Sequence, residues 1–502
     1  MTDIQPFALL VVLAAAVGML AVLASRLSQL IRIPSPALVL AGAAIAVQAV
    51  PALHAPPPHA VGRVVTVALA CILFDGGMRI GWARFRQAAG PITAAGLGGT
   101  FATVAAVAAG LHYGLGAAWY VAVLAATAIA PTDPAMVFAV LGQREVSGRS
   151  GTILEGESGA NDPVGIALMT ALITAGGLSW PAIASAGAQF AMQMGAGAAI
   201  GLAGGLGLLW LARRVPLPGE GLYPLRTLAG ALLVYGLATL AHGSGFLAVF
   251  IAGLVLSDQP APFKREIERF HDALASLAEI VAFAVLGLTI NLSLLARADV
   301  WVPGLITAAA VAFVIRPVLV GLCLAPARLA AGERAFVLLA GLKGAVPILL
   351  GSYLLAAHIP GARRFYGIVA VVVIFSVVVQ GSLIPAAARL LRVPMSPVEP
   401  RPFALGVRLQ EEPEGVQRLT VRPGAPADGA SIGEFPALAG QAWVSMVVRD
   451  GQLLPLASDT VLRSGDDVLI LADPALRPRL TAVLEAPPHD RSPAGRRSSQ
   501  GR

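Results

Sequence analysis

Three acids stand in the stretch EGESGANDP: Glu155, Glu157 and Asp162. The text on both sides is apolar, so these carboxylates fall at the start of a lipid-soluble segment. A charge at the centre of a bilayer costs about 2.5–3.5 kcal/mol on insertion scales, so such residues mark ion pathways or paired structural sites. On a helix of 3.6 residues per turn, Glu155, Ser158 and Asp162 share one face. Glu157 and Asn161, four residues apart, share another. Asp162 and Ser158 can therefore offer carboxylate and hydroxyl oxygens to one hard cation. Glu157 faces elsewhere and needs a base, for which Arg316 in FVIRP is the candidate.

Other charges interrupt apolar text: Asp75 in LFDGGM, Asp133 in APTDPAM, Glu279 in LAEIVAF and Lys343 in GLKGAVP. Acids outnumber bases, so at least one carboxylate is neutral or holds a proton or a cation. A site that exchanges a proton for a cation has that property. Thr132, Asp133 and Pro134 interrupt one span, and Gly341, Gly344 and Pro347 interrupt another. Proline removes a backbone donor and clashes with the preceding turn. Freed carbonyls inside a membrane are tolerated only around a buried site. Each proline also fits a simple kink, but an acid or base beside both favours a site. Two interrupted spans in separate halves point to inverted repeats with a site at the midplane. Lys343 would neutralise the negative ends of the broken helices.

The elements that position these groups follow from composition. The 502 residues are 57% hydrophobic and only 13% charged, against about 25% charged in a soluble domain. Mean hydropathy is +0.77. Apolar runs near the length of a bilayer span recur from Pro6 to about Leu391, giving an all-α polytopic membrane protein of about thirteen transmembrane helices, two of them broken. They lie near 6–25, 34–53, 61–80, 91–112, 117–142, 152–176, 183–212, 223–241, 243–257, 272–295, 301–323, 333–357 and 364–391. The first is too long for a signal-peptide core and reads as a retained helix. Alternate loops sort by charge. One set holds Arg26, Arg32, Arg84, Arg86, Arg144, Arg149, Arg213, Arg214, Arg226, Lys264, Arg265, Arg269, Arg328 and Arg334. The other holds Arg63, Arg297, Arg363 and Arg364. The positive-inside rule then puts the N-terminus outside and the C-terminus inside. Trp119, Trp180 and Trp301 fall at the expected outer interfaces. The net charge of +7 lies in short loops and calls for no nucleic acid. Cys71 and Cys323 sit in separate apolar runs and suggest neither a disulfide nor a metal site. His54, His59 and His112 do not cluster. No nucleophile, metal cluster or nucleotide loop supports an enzyme or a cofactor.

Together LFDGGM, APTDPAMVF, LEGESGANDPVG, FVIRP and GLKGAVP resemble the monovalent cation:proton antiporter-1 family, the NhaP-type exchangers of sodium or potassium for protons. Order and spacing fit over roughly residues 5–392. The resemblance implies a 13-helix homodimer with a dimerisation domain and a moving core domain. It makes Asp162 the main cation and proton carboxylate, with Asp133, Thr132 and Ser158 as partners. Asp75 stands where relatives often have Glu, and its shorter side chain sets its contact with the ion apart. Asn161 opens the "ND" pair, which implies electroneutral exchange, and Glu157 with Arg316 is implied to be a structural pair.

After about Pro394 the text changes. Residues 1–393 form the membrane domain, 394–402 (PMSPVEPRP and its end) a linker, 403–485 a small soluble α+β domain and 486–502 a disordered tail rich in Pro, Ser and Arg. RLTVRP, AWVSMVVRD and DVLILAD read as strands and ALRPRLTAVLE as a closing helix. The segment resembles the TrkA C-terminal domain, which implies a regulatory small ligand of unknown identity; Gly451 and SGDD also read simply as hairpin turns. The expectation is an inner-membrane antiporter of K+, or Na+, against H+, working in lipid as a homodimer. A cation channel with the same regulator would need a TVGYG-type filter, which is missing. A non-transporting membrane sensor would not need the acid and base pairs.

Overall fold

The computed structural model describes residues 34–49, 56–141, 144–146, 148–258, 262–397, 416–434, 442–449, 452–457, 459–472 and 476–485, with scattered positions between 8 and 24. The chain divides into two compact units, Met1–Glu399 and Pro400–Arg502.

The first unit is helical. Its described helices are α1 (Ser35–Ala49), α2 (Pro58–Ile80), α3 (Trp82–Leu115), α4 (Trp119–Ile129), α5 (Pro134–Leu141), α6 (Gly148–Ala175), α7 (Trp180–Arg214), α8 (Leu222–Leu240), α9 (Gly245–Ser257), α10 (Lys264–Gly287), α11 (Ala298–Cys323), α12 (Ala331–Leu339), α13 (Ala345–Ala356) and α14 (Ala362–Leu390). Among the described residues, 7 helices or helix pairs are long and apolar enough to cross a membrane. Each expected span from 34 onward coincides with a helix or a broken pair. The first expected span, 6–25, lies largely outside the described residues.

Two boundaries differ from expectation for a physical reason. The span expected at 272–295 is Lys264–Gly287. Its amphipathic start, KREIERFHDA, continues the helix while depressing hydropathy. The span expected at 91–112 begins at Trp82, and a π-helical stretch, Ala94–Gly99, accommodates the helix past Pro91. The linker expected from 394 also changes. Met395–Pro397 forms a strand, β2, antiparallel to β1 (Arg144–Val146), the segment between α5 and α6. Proline fits there because a two-stranded pair has free edges.

Lipid gives helices no hydrophobic reason to associate, so close packing through small residues takes over. On α7, Gly197, Gly201 and Gly205 recur every fourth residue against α9; a Cβ on Gly201 would meet the Ala248 carbonyl at 2.6 Å. On the other side of α9, a Cβ on Gly77 of α2 would meet the Phe250 carbonyl at 2.3 Å, and one on Gly253 the Phe74 carbonyl at 2.3 Å. These contacts clamp α9 between α2 and α7. Phe250 from α9 then lies over Gly159 of α6, and α6 is buried along most of its length.

The second unit is a four-stranded antiparallel sheet in the order β3–β6–β4–β5. Its strands are β3 (Val416–Thr420), β4 (Ala442–Arg449), β5 (Gln452–Leu453) and β6 (Asp467–Ala472), followed by α15 (Arg477–Leu484). Val421, Val447, Val468, Ile470, Leu480 and Leu484 build its own core. Gly465 takes a φ of +91°, a conformation natural to glycine, in the SGDD turn. Asp466 beside it is buried and accepts 2.7 and 2.8 Å bonds from Arg449. Burial works to raise its carboxyl; the Arg449 bonds and the Arg463 amide outweigh that and hold it below the ordinary Asp value. Gly451 and the expected tail, 486–502, lie outside the described residues.

Candidate cation site

Two spans break and cross. One stops at Ile129 and resumes at Pro134; the other stops at Leu339 and resumes at Ala345. The backbone joins them directly, because the Asp133 amide donates to the Leu342 carbonyl at 2.7 Å. Gly344 makes the approach possible: a Cβ there would lie 1.9 Å from an Asp133 carboxylate oxygen.

A broken helix leaves orphan carbonyls at one end and orphan amides at the other, with partial charges to match. Each end in this crossing has a partner. Lys343 Nζ donates to the carbonyls of Ala130 (2.8 Å) and Pro131 (3.1 Å), where α4 ends. Arg316 donates to the carbonyls of Leu338 (2.9 Å) and Val337 (3.3 Å), where α12 ends. Gln380 donates to Leu339 at 2.6 Å. The positive ends converge on Asp133, which accepts from the amide of Ala135 at 2.9 Å and from those of Met136 and Ala345. Asp133 thus caps both resuming half-helices.

Arg316 also grips Glu157 with two bonds of 2.7 and 2.9 Å, both side chains almost fully buried. Gly341 makes room, since a Cβ there would lie 2.1 Å from Arg316 Nε. Asn161 donates to the Thr132 hydroxyl at 2.7 Å and accepts from the Thr132 amide at 3.4 Å. Those bonds tie α6 to the first break. Asp75 is buried on α2, where its recorded ion pair is with Arg79, at 2.6 Å, one turn along; Arg79 in turn reaches Asp272 of α10. Glu155 lines a cavity of about 460 Å³ with Arg79, Arg84 and Arg149.

Asp162 is different. It is 7% exposed, its Oδ2 lies 3.5 Å from the Ser158 hydroxyl, and its Oδ1 is buried with no hydrogen-bond partner. Lys343 and Asp133 are both close enough to act on it electrostatically. A buried unsatisfied polar atom costs about 1–3 kcal/mol, and more when charged. The crossing therefore holds three carboxylates, on Asp133, Glu157 and Asp162, against two bases, Arg316 and Lys343. One positive charge at Asp162, a proton or a cation, balances it.

Two polar residues escaped the sequence reading. Ser376 accepts from the Lys343 amide at 3.0 Å and donates to Gln380 at 2.9 Å. They begin and end a π-helical stretch, Ser376–Gln380, inside α14. Arg316 likewise lies in one, Val311–Val320. The available signal was a polar pair in otherwise apolar text, FSVVVQ.

Glu157→Ala or Arg316→Ala should each cost about 3–5 kcal/mol, because either leaves a buried charge unpaired. The double variant should recover part of that loss in thermal or denaturant unfolding. Simple addition of the two single losses would mean that the pair carries no coupling.

The family described as sodium/hydrogen exchanger, transmembrane, matches residues 12–390. The chain is 33% identical over 419 residues to the K+/H+ antiporter NhaP2 of Shewanella sp. (strain MR-4), covering 81% of this chain and 71% of that one. It is 32% identical over 437 residues to the K+/H+ antiporter NhaP of Alkalimonas amylolytica, covering 85% and 74%. The solved sodium proton antiporter MjNhaP1 from Methanocaldococcus jannaschii at pH 8 superimposes with a TM-score of 0.63, over 76% of this chain and 99% of that one, at 24% identity, which supports the fold. A family match spanning nearly the whole helical unit, with relatives at a third identity over most of the chain, places this protein in the sodium/hydrogen exchanger family of multi-pass transmembrane cation/proton antiporters.

Proposed function

We propose that the protein exchanges K+ for H+ one for one across the plasma membrane, and that Asp162 carries either ion. The observation that carries this reading is the unpartnered, buried Oδ1 of Asp162 in a crossing short of one positive charge. Protonated Asp162 is neutral and releases cation. Deprotonated Asp162 takes a cation, with Ser158 adding an oxygen. An empty, charged site is costly to move through a dry barrier, so only the two filled forms cross. Each filled form has the same net charge, which makes the exchange electroneutral. Asp133, Thr132 and Asn161 hold the two breaks in register around the ion, and Asp75 flanks the route to it. Thirteen helices in inverted repeats, paired as a homodimer in lipid, complete the proposed architecture.

K+ is favoured because the two NhaP-type relatives above, about a third identical over more than four-fifths of this chain, carry that ion in their names. Na+ is the second reading: the Synechocystis low-affinity Na+/H+ antiporter NhaS1 is 30% identical over 265 residues. The basic loops favour an outside N-terminus and an inside C-terminus. The small domain, read as TrkA-C-like, is proposed to bind an inside ligand and regulate transport. Supporting this is the β1–β2 pair. The chain leading to that domain hydrogen-bonds, at Met395–Pro397, to the segment joining α5 to α6, hence between Asp133 and Asp162 in sequence. A ligand regulates only if it favours one state of the core over another.

Asp162→Asn should abolish cation-dependent proton flux in everted vesicles while leaving a folded, monodisperse protein. Near-normal flux would remove Asp162 from the centre of the exchange. A panel of Na+, K+, Rb+ and Li+ on the unmodified protein decides the ion.

Deleting residues from 400 onward should leave a folded exchanger with a displaced pH or ligand response. The small domain has its own core, and the cut spares β2. A truncated protein that inserts but exchanges nothing at any pH or cation would make the domain part of the transport machinery.

A further inference from the structure

Glu279 lies on α10, a membrane-spanning helix, and the mechanism above does not use it. Its Oε1 is buried with no hydrogen-bond partner. Helical spacing puts it on the stripe of His271, Ala275, Ala282 and Phe283, the buried side of α10. That side packs most extensively against α2, whose Phe74 ring lies 5.0 Å from the His271 ring. The two helices run antiparallel, so Glu279 stands deeper in the bundle than His271, by about 12 Å for eight residues. Three of the other intramembrane acids are held: Glu157 by Arg316, Asp75 by Arg79, and Asp133 by three amides. Glu279 has no base in contact among the described residues. It does lie within electrostatic reach of two groups, Arg79 on one side and Asp133 on the other. Arg79 lines the cavity of about 460 Å³ at the basic end of the bundle, and Asp133 belongs to the crossing.

We infer that Glu279 is a second working carboxylate of the exchange path, which in its charged form draws cations from the Arg79 cavity toward the crossing without carrying the exchanged proton. An unpaired carboxylate here attracts a cation, whereas its protonated form is silent. The helices packed against α10 carry as charged or titratable groups His59, Arg63, Cys71, Asp75 and Arg79 on α2, Tyr223, Arg226 and Tyr235 on α8, and Tyr353 on α13; of these, Arg79 acts electrostatically on Glu279. His271 and Asp272 belong to α10 itself, and α1 contributes none. None of these is a base in contact with Glu279, so its charge acts on the ion.

The inference rests on the exchange reading above and is tested in proteoliposomes holding the full chain. Glu279→Gln keeps the shape and removes the charge. It should raise the apparent KM for K+ about tenfold at alkaline pH, the size of one charge acting over roughly 12 Å at an effective dielectric of about 20. At acid pH, with the parent carboxyl protonated, the two proteins should agree. Glu279→Asp should restore most of the alkaline affinity. An unchanged KM at both pH values would make Glu279 a neutral packing group, and an equal rise at both would make its role structural; either overturns the inference. A second measurement uses the unmodified chain. Labelling of Glu279 by a lipid-soluble carbodiimide, mapped by mass spectrometry, should fall as K+ is raised, because a bound cation favours the unreactive carboxylate. Labelling indifferent to K+ also overturns it. If the unmodified protein shows no exchange, the exchange reading itself fails and this inference falls with it.

Discussion

The structure turns on the crossing of two interrupted helices. An interruption inside a membrane exposes backbone groups that no water satisfies, at several kcal/mol each. Here every exposed end has a partner: Lys343 and Arg316 on the carbonyl ends, Asp133 on both amide ends, and Gln380 and Ser376 on what remains. The glycines follow from the same constraint. Gly341 and Gly344 admit Arg316 and Asp133 where any side chain would collide. Within the crossing, Asp162 is then the acid left with an unpartnered carboxylate oxygen.

The neighbouring packing keeps that imbalance in place. Glu157 is gripped by Arg316, so α6 is anchored by a buried ion pair. Asn161 ties α6 to the first break on the adjacent face. Phe250, pressed over Gly159, and Ile92, against Gly156, fill the space around the next turns. Ser158 and Asp162 share the face left over. The rigid elements thus meet around Asp162, whose Oδ1 they leave without a hydrogen-bond partner.

Much of this was legible in the sequence because charge in apolar text is rare and helical spacing is fixed. Asp162 could be grouped with Ser158, and Glu157 set apart as needing a base, by face alone; Arg316 was the candidate base because it stood charged in apolar text. The breaks at Pro134 and Gly344 were visible as prolines and glycines beside a charge. What could not be read was how the breaks cross, since that depends on Leu342 meeting Asp133 across the bundle. Ser376 and Gln380 were hidden for the same reason: their partners are backbone carbonyls and amides, which leave no mark in side-chain pattern. Asp75 shows the converse. Spacing alone sets Arg79 one turn along from it, but that the two side chains pair at 2.6 Å needs the rotamer as well. The strand at Met395–Pro397 was obscured by prolines that read as linker.

The central claim is that proton and cation compete for Asp162. Calorimetric titration of the purified protein with K+, repeated in buffers of different ionisation enthalpy, measures it directly. The account predicts release of close to one proton per cation bound near the pH at which the site titrates, and no release from Asp162→Asn. Tight cation binding without proton release, or release that survives in Asp162→Asn, would contradict it.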